Sequence, residues 1–291
     1  MNAAPLLAGV ALCVLGGIVR VRAWHGALAE TADGVRYRDV VVAHLGGAGF
    51  NGIIPAHGGD AVKLALVKRR VRDVRLGQLL GSLAPPASVE ALLTALLLAW
   101  AVATGVLDTP STAQIPLPLV GAAAAIAAGL LWLLARKAPR LLRDVRTGMA
   151  ALRRPRQLAR GIVPWVLAGR VFRLAAIGCF LAAVGLPMTL AALLVVMAVQ
   201  GGVGTSGAAS APVRIAVLSA SLPAVLGGHD VGFQTAAELI GVSQIGPMVA
   251  NLAISVVVLG ITLRTTSPRR VVRYCRENIK AAKPAPAAPD V

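Results

Sequence analysis

GGAGFNGIIPAHGGDAVK, residues 46–63, decides how the rest of the chain is read. Its neighbours are apolar enough to lie at membrane depth, yet the stretch itself reads as a loop. Glycines, Asn51, Pro55, His57 and Asp60 interrupt the apolar run before Lys63. Hydrocarbon cannot satisfy a free backbone N–H or C=O, so broken backbone at that depth survives only inside protein or against a water-filled cavity. Paired breaks of this kind are where transporter folds build their sites. The stretch therefore predicts a polytopic membrane protein with a polar site at the break.

The composition around it agrees. Hydrophobic residues make up 57% of the 291 and charged ones 14%, and mean hydropathy is +0.75. Runs of about 20 apolar residues suffice to cross a hydrocarbon core of about 30 Å. Residues 1–263 read as a single integral membrane domain with rough halves, 1–135 and 160–263. The net charge of +17 invites a nucleic-acid reading, but all but a few of the Lys and Arg fall in short segments between apolar runs, as the positive-inside rule expects. With only 3% aromatic residues there is little to stack on bases, so no nucleic-acid partner is expected. Cys13, Cys179 and Cys275 lack metal or disulfide spacing and read as filler. Residues 1–19 carry no N-terminal positive charge and lead into embedded chain, so they read as a retained span rather than a signal peptide.

Taken in order, the first span covers 5–19 and is closed by Arg20 and Arg22. A polar segment, 20–39, follows. The apolar stretch 40–56 holds the opening motif, and a basic helix, 60–75, comes next. The third span, 76–106, contains the Pro85–Pro86 pair, which is expected to kink it, and then Glu90. A fourth covers 119–135. Residues 136–160 carry nine Lys and Arg and form the strongest cytoplasmic signal; Leu141, Leu142, Val145, Met149 and Leu152 fall at helical spacing, as in a helix lying on the membrane surface. The fifth span, 162–184, contains Arg170 and Arg173. A sixth, 188–199, breaks at Gln200 into the second loop-like stretch, QGGVGTSGAAS. Spans at 212–226 and 246–263 follow, and Glu238 lies on a helix leading into the last. The tail, 264–291, is basic, cytoplasmic and Ala/Pro-rich at its end.

The fold class is thus all-α: a polytopic transmembrane helical bundle with about seven spans, one or two re-entrant or broken helices, and a layout compatible with an internal repeat. Segments 20–38 and 60–75 both look cytoplasmic although one apolar stretch separates them. Either 40–56 is a re-entrant hairpin, which its glycines favour, or the four Arg of 20–38 lie outside.

Three sets of residues could bind a polar substrate. Asn51, Pro55, His57, Asp60 and Lys63 stand where half-helix ends expose N–H groups that suit a phosphate; in the plainer reading Asp60 is an N-cap and His57 an interfacial residue. Arg170 and Arg173, three apart, share a helical face, and Glu90 is the expected partner. Ionisable groups inside spans are costly and usually face a cavity, although snorkelling Arg or a structural ion pair would also fit. Gln200, Gly201, Gly202, Gly204 and Arg214 form the third set, whose glycines permit close approach of a ligand or of a neighbouring helix. No nucleophile elbow, P-loop or metal spacing occurs, so no catalytic residue, metal or cofactor is expected.

GFNGIIPAHGGDAVKLALV resembles the Asn-rich, Leu-Pro-Ala-Arg-x-Gly-Glu motif of the flippase-like family, the membrane region of lysylphosphatidylglycerol synthases and its stand-alone relatives. QGGVG is similar to that family's second motif, Pro-Gly-Gly-x-Gly followed by Glu, and Val21-Arg22-Ala23-Trp24 to the Arg-Trp that precedes its first. This chain has Gly52 in place of a second Asn, His57 for Arg, Asp60 for Glu, Gln200 for Pro and Gly207 for the final Glu. The resemblance implies a bacterial inner-membrane, multi-pass protein that translocates or presents an anionic lipid or polyprenyl-linked headgroup, without a soluble aminoacyl-transfer domain. The alternative is a non-catalytic scaffold that docks a cytoplasmic lipid- or glycan-modifying enzyme through 136–160 and the tail. An intramembrane transferase using Glu90 or Asp60 as base is a weaker option.

Overall fold

The computed structural model describes residues 2–32, 34–52, 58–71, 74–105, 139–202, 211–226 and 231–263. Among these the protein is all helical, and four stretches are long and apolar enough to cross a membrane: Ala3–Ala29, Leu76–Ala103, Pro155–Val184 and Phe233–Thr262. The fourth expected span and the tail lie outside the described residues.

Helix α1 (Ala3–Ala29) opens on Asn2, whose side chain accepts from the Ala4 N–H. It does not stop at Arg20 and Arg22, as the charge pattern predicts. Both residues sit inside the helix, because Arg20 has an acidic partner there and Arg22 an aromatic one. Helix α7 (Val163–Val184, after a π turn at Leu158–Ile162) lies antiparallel to α1 along its length. The Asn2 N–H reaches the Ala183 carbonyl at one end (3.1 Å), and Arg154 pairs with Glu30 at the other (2.9 Å). A Cβ at Gly169 would stand 2.3 Å from Arg20 Cγ, so that glycine makes room for the arginine. Gly185, at φ 85°, closes α7 in the left-handed conformation that glycine adopts without strain.

The opening motif folds as a helical hairpin. Helix α2 (Tyr37–Ala48) ends in a 3-10 turn, Gly49–Gly52, and α3 (Gly58–Arg70) packs back along it. A Cβ at Gly47 would meet the Gly59 carbonyl at 2.4 Å, so the small residue sets the separation of the two arms. Asp39 and Arg70 pair across the open end. At the tip, buried Ser255 accepts from the Gly49 N–H (2.9 Å) and donates to the Leu45 carbonyl (2.6 Å), taking up backbone groups that the helix end leaves unpaired. Asp60 is not an N-cap. Because α3 begins at Gly58, Asp60 falls in the first turn, where a carboxylate suits the helix dipole.

The expected kink at Pro85–Pro86 is instead a break between α4 (Leu76–Ser82) and α5 (Ala84–Ala103). The prolines occupy the first turn of α5, where a missing N–H costs nothing. Helix α6 (Pro139–Gly148) packs on α4 through glycines: a Cβ at Gly148 would stand 2.2 Å from the Gln78 carbonyl. Arg75 pairs with Asp144 alongside (3.1 Å). The remaining elements are α8 (Leu190–Gly202), α9 (Ala211–Val225) and α10 (Phe233–Leu263); Glu238 and the last span belong to one continuous helix.

Packing partners come in matching sets. Helix α1 packs on α2 as α7 does on α8, α2 on α3 as α8 on α9, α2 on α10 as α8 on α5, and α1 on α10 as α7 on α5. One apolar cluster joins α7 to α10, with Phe180, Leu181, Leu218 and Leu239 at its centre. A second joins α1 to α4 through Val21, Leu28, Val67 and Leu79, and a smaller third gathers Ala27, Val89, Ile162 and Val166.

Candidate functional site

Seven helices surround one cavity of about 410 Å³. Helix α1 contributes Cys13, Gly16, Gly17 and Arg20, α2 His44, α3 Lys63, α5 Glu90, α7 Gly169, Arg170 and Arg173, α8 Gln200 and Gly201, and α10 Asn251. Four of the lining groups are cationic (Arg20, Lys63, Arg170, Arg173) and one is a carboxylate (Glu90), which leaves a net +3 on the wall.

Helix α5 holds two of the cations, Arg170 and Arg20, while Arg173 is held from α8 and α1 and Lys63 from its own helix. Arg170 donates from Nη2 to the Glu90 carbonyl oxygen (3.0 Å) and to the Thr94 hydroxyl, and that hydroxyl in turn donates to the Glu90 carbonyl (2.9 Å). Arg173 donates to Gln200 Oε1 (2.6 Å) and Cys13 Sγ (3.4 Å). Gln200 passes the chain on, from Nε2 to Ser243 Oγ (3.0 Å), and Ser243 donates to the Ile240 carbonyl (3.3 Å). Arg20 Nε pairs with Glu90 Oε1 at 2.8 Å. Lys63 pairs with Asp60 at 2.7 Å, one turn back on α3. Each guanidinium commits only part of its fork of N–H donors to these contacts. The rest are available to an anion with several acceptor oxygens, such as a phosphate.

The geometry revises the sequence reading in places. The Glu90 carboxylate pairs with Arg20, and Arg170 takes the backbone carbonyl of Glu90 instead. The reason is that Arg20 reaches across from α1 over Gly169, while Thr94 occupies the space next to Arg170. Lys63, Glu90, Arg170, Arg173, Gln200 and Gly201 all line the cavity; Arg214, buried on α9, does not. Gly201 also serves close packing, since a Cβ there would lie 2.9 Å from the Thr94 methyl carbon, and so helps place the hydroxyl that holds Arg170. Asn51 lies in the 3-10 turn at the hairpin tip, and Gly202 ends α8. Pro55, His57 and Gly204 lie outside the described residues.

Sequence reasoning missed Arg20, His44, Thr94 and Asn251. Arg20 carried a signal: Gly16 stands one turn before it and Gly17 three residues before it. Small residues on the face of an intramembrane arginine mark a wall that has been cleared for it.

The fold and cavity define a helical membrane protein with a cationic chamber. The chain belongs to the family described as the lysylphosphatidylglycerol synthase TM region, whose model matches residues 1–263. Comparison with curated proteins and with solved structures gave no match.

Proposed function

We propose that the chain moves an anionic lipid headgroup, of a phospholipid or a polyprenyl-linked lipid, across a bacterial inner membrane. One observation carries this reading: four cations from three helices converge on a cavity where, among the described residues, Glu90 on the lining and Asp60 behind Lys63 are the two carboxylates that pair with them. A cation at the centre of a membrane span costs about 2.5–3.5 kcal/mol on insertion scales. Such a wall is expensive unless something anionic visits it. A phosphate supplies the missing charge, while the acyl chains remain in lipid. Membership of the lysylphosphatidylglycerol synthase TM-region family supports the same role.

The topology that suits this role has two re-entrant hairpins facing one another. The Asp39–Arg70 pair supports entry and exit of the first on the same side. Helices of 13 and 15 residues, α8 and α9, reach only roughly 20 Å at about 1.5 Å per residue, which favours a second hairpin. Counted so, the crossings fall from about seven to about five, with the C-terminus still cytoplasmic by the positive-inside rule. The matched packing sets, with α1 antiparallel to α7, support an inverted repeat.

The exposed face of α6, with Arg140, Leu142 and Arg143, favours a second role as a docking surface for an anionic lipid or a cytoplasmic enzyme.

Proteoliposomes test the main reading. A fluorescent phosphatidylglycerol is reduced from outside, and loss of the protected inner fraction is followed over time. Wild type should speed that loss. The double variant Arg170→Gln with Arg173→Gln should insert but leave the protein-free rate. Protein-free rates for wild type with both phosphatidylglycerol and a polyprenyl-phosphate probe would overturn the proposal.

A further inference from the structure

Helix α1 has two working faces. Gly16, Gly17 and Arg20 look into the central cavity. Ile18, Val19 and Arg22 form the floor of a second hollow of about 300 Å³, closed by Tyr37 of α2 and Trp165 of α7. Residues 18, 19 and 22 share one side of a helix, and Arg20 lies roughly 200° round the axis from Arg22. The helix itself therefore separates the two hollows.

Arg22 is a prepared cation. Its guanidinium carbon stands 5.0 Å from the centre of the Tyr37 ring and 5.9 Å from that of Trp165, within cation–π range. Tyr37 is fixed in turn: its hydroxyl donates to the Ile18 carbonyl (3.2 Å) and its ring meets His25 edge-on at 5.7 Å. His25 Nε2 is held 3.0 Å from the Val35 carbonyl. Among the described residues no carboxylate pairs with Arg22. The groove lies near the charged ends of α1 and α2, where Glu30 and Asp39 make their ion pairs. Tyr and Trp gather at that headgroup level in membrane proteins.

An ordered cation, two aromatic walls and an aliphatic floor match one kind of molecule. We propose that this groove is a peripheral lipid site that holds one anionic phospholipid of the surrounding leaflet, with its phosphate on Arg22 and the start of an acyl chain along Ile18 and Val19. A soluble anion would leave Ile18 and Val19 uncovered, and a neutral apolar chain would leave Arg22 unanswered. The bound lipid bridges α1, α2 and α7 from outside. It is not the cargo, because α1 stands between it and the cavity.

Bromine on an acyl chain quenches an indole that it touches, and Trp165 is in the wall. The full chain is placed in phosphatidylcholine nanodiscs that contain a minor fraction of brominated phosphatidylglycerol or, separately, of brominated phosphatidylcholine. The Trp165 signal is the difference between wild type and Trp165→Phe. Half-quenching should need about fivefold less of the anionic lipid, the preference that one cation near the surface supplies. Arg22→Gln should erase that preference, Arg22→Lys should keep most of it, and Arg170→Gln should leave it intact. Equal quenching by the two lipids in wild type would overturn the proposal. So would a preference that survives Arg22→Gln or disappears with Arg170→Gln, since either assigns the lipid elsewhere. If Arg22→Gln does not insert, the wild-type comparison and Arg22→Lys still decide.

Discussion

At the scale of single residues, the proposed function makes the Arg20–Glu90 contact the point at which an entering anion is opposed. Glu90 is the one carboxylate on the lining, and it occupies Arg20 at 2.8 Å. On the proposed function, an incoming phosphate competes with it for that guanidinium. Glu90→Gln removes the competitor and raises the wall from +3 to +4. Binding of a fluorescent phosphatidylglycerol to the protein in neutral micelles should tighten about threefold to tenfold, the worth of a charge-assisted hydrogen bond discounted for partial exposure. Folding stability should change by less than about 1 kcal/mol, because Arg20 is half exposed. Weaker binding in the variant would mean that Glu90 positions Arg20 for the ligand instead of opposing it. The sequence made part of this site legible. Charges inside apolar runs, Arg170, Arg173 and Glu90, identify themselves by their cost. Arg20 did not, because near the end of a run an arginine reads as a topological stop unless the glycines before it, Gly16 and Gly17, are read with it. Thr94 and Ser243 are ordinary hydroxyls in sequence and gain meaning only when another helix brings them a partner.

At the scale of elements, the hairpin tip is the vulnerable joint. Its backbone groups at Leu45 and Gly49 depend on the Ser255 hydroxyl from a helix some two hundred residues later in the chain. Ser255→Ala leaves a buried N–H and C=O without that partner and should cost about 1–3 kcal/mol. Thermal unfolding in detergent should show it as a Tm lower by a few degrees per kcal/mol. Ser219→Ala is the control: that hydroxyl only folds back onto the Ala216 carbonyl of its own helix (3.0 Å), so its Tm should match wild type. A Ser255→Ala protein as stable as wild type would show that the tip does not rely on α10. The glycines of 46–59 signalled a turn where lipid forbids one, but the sequence reading closed the hairpin within 40–56 and took 60–75 as a separate basic helix, whereas α3 (Gly58–Arg70) is the returning arm. The hairpin's support was not legible, because nothing local to 46–63 points to Ser255. Helix ends were misread for a related reason: Arg20 and Arg22 punctuate a sequence, while tertiary partners decide whether a helix obeys. Arg20 has Glu90 and Arg22 has Tyr37, so α1 runs on.

At the scale of the whole molecule, three ion pairs tie the charged ends together on one face. Glu30 joins Arg154, Asp39 joins Arg70, and Arg75 joins Asp144. These pairs link the end of α1, both ends of the first hairpin, the start of α4, α6 and the approach to α7. If that face is a single membrane surface, 40–56 cannot cross, because Arg38 and Arg69 flank the two arms of one hairpin. The opposite face carries Gly185 and Pro187, reached after the 22 residues of α7, which extend roughly 33 Å at about 1.5 Å per residue. Cysteine labelling separates the alternatives. The native cysteines are first replaced by serine, which at Cys13 retains an acceptor for Arg173. Single cysteines are then placed at Arg38, Arg69, Arg146 and Pro187, and sealed vesicles of known orientation are treated with a membrane-impermeant maleimide. Arg38→Cys, Arg69→Cys and Arg146→Cys should all react from the same side, the cytoplasmic one, and Pro187→Cys from the other. Opposite reactivity at 38 and 69 would turn the hairpin into a true crossing. The cavity would then be reached through a different set of helix ends, and the ion pair between Asp39 and Arg70 could not hold in the membrane. Labelling of 38, 69 and 146 together fixes the basic face as one surface, and with it, on the proposed function, the side from which an anionic headgroup first meets Arg20 and Lys63.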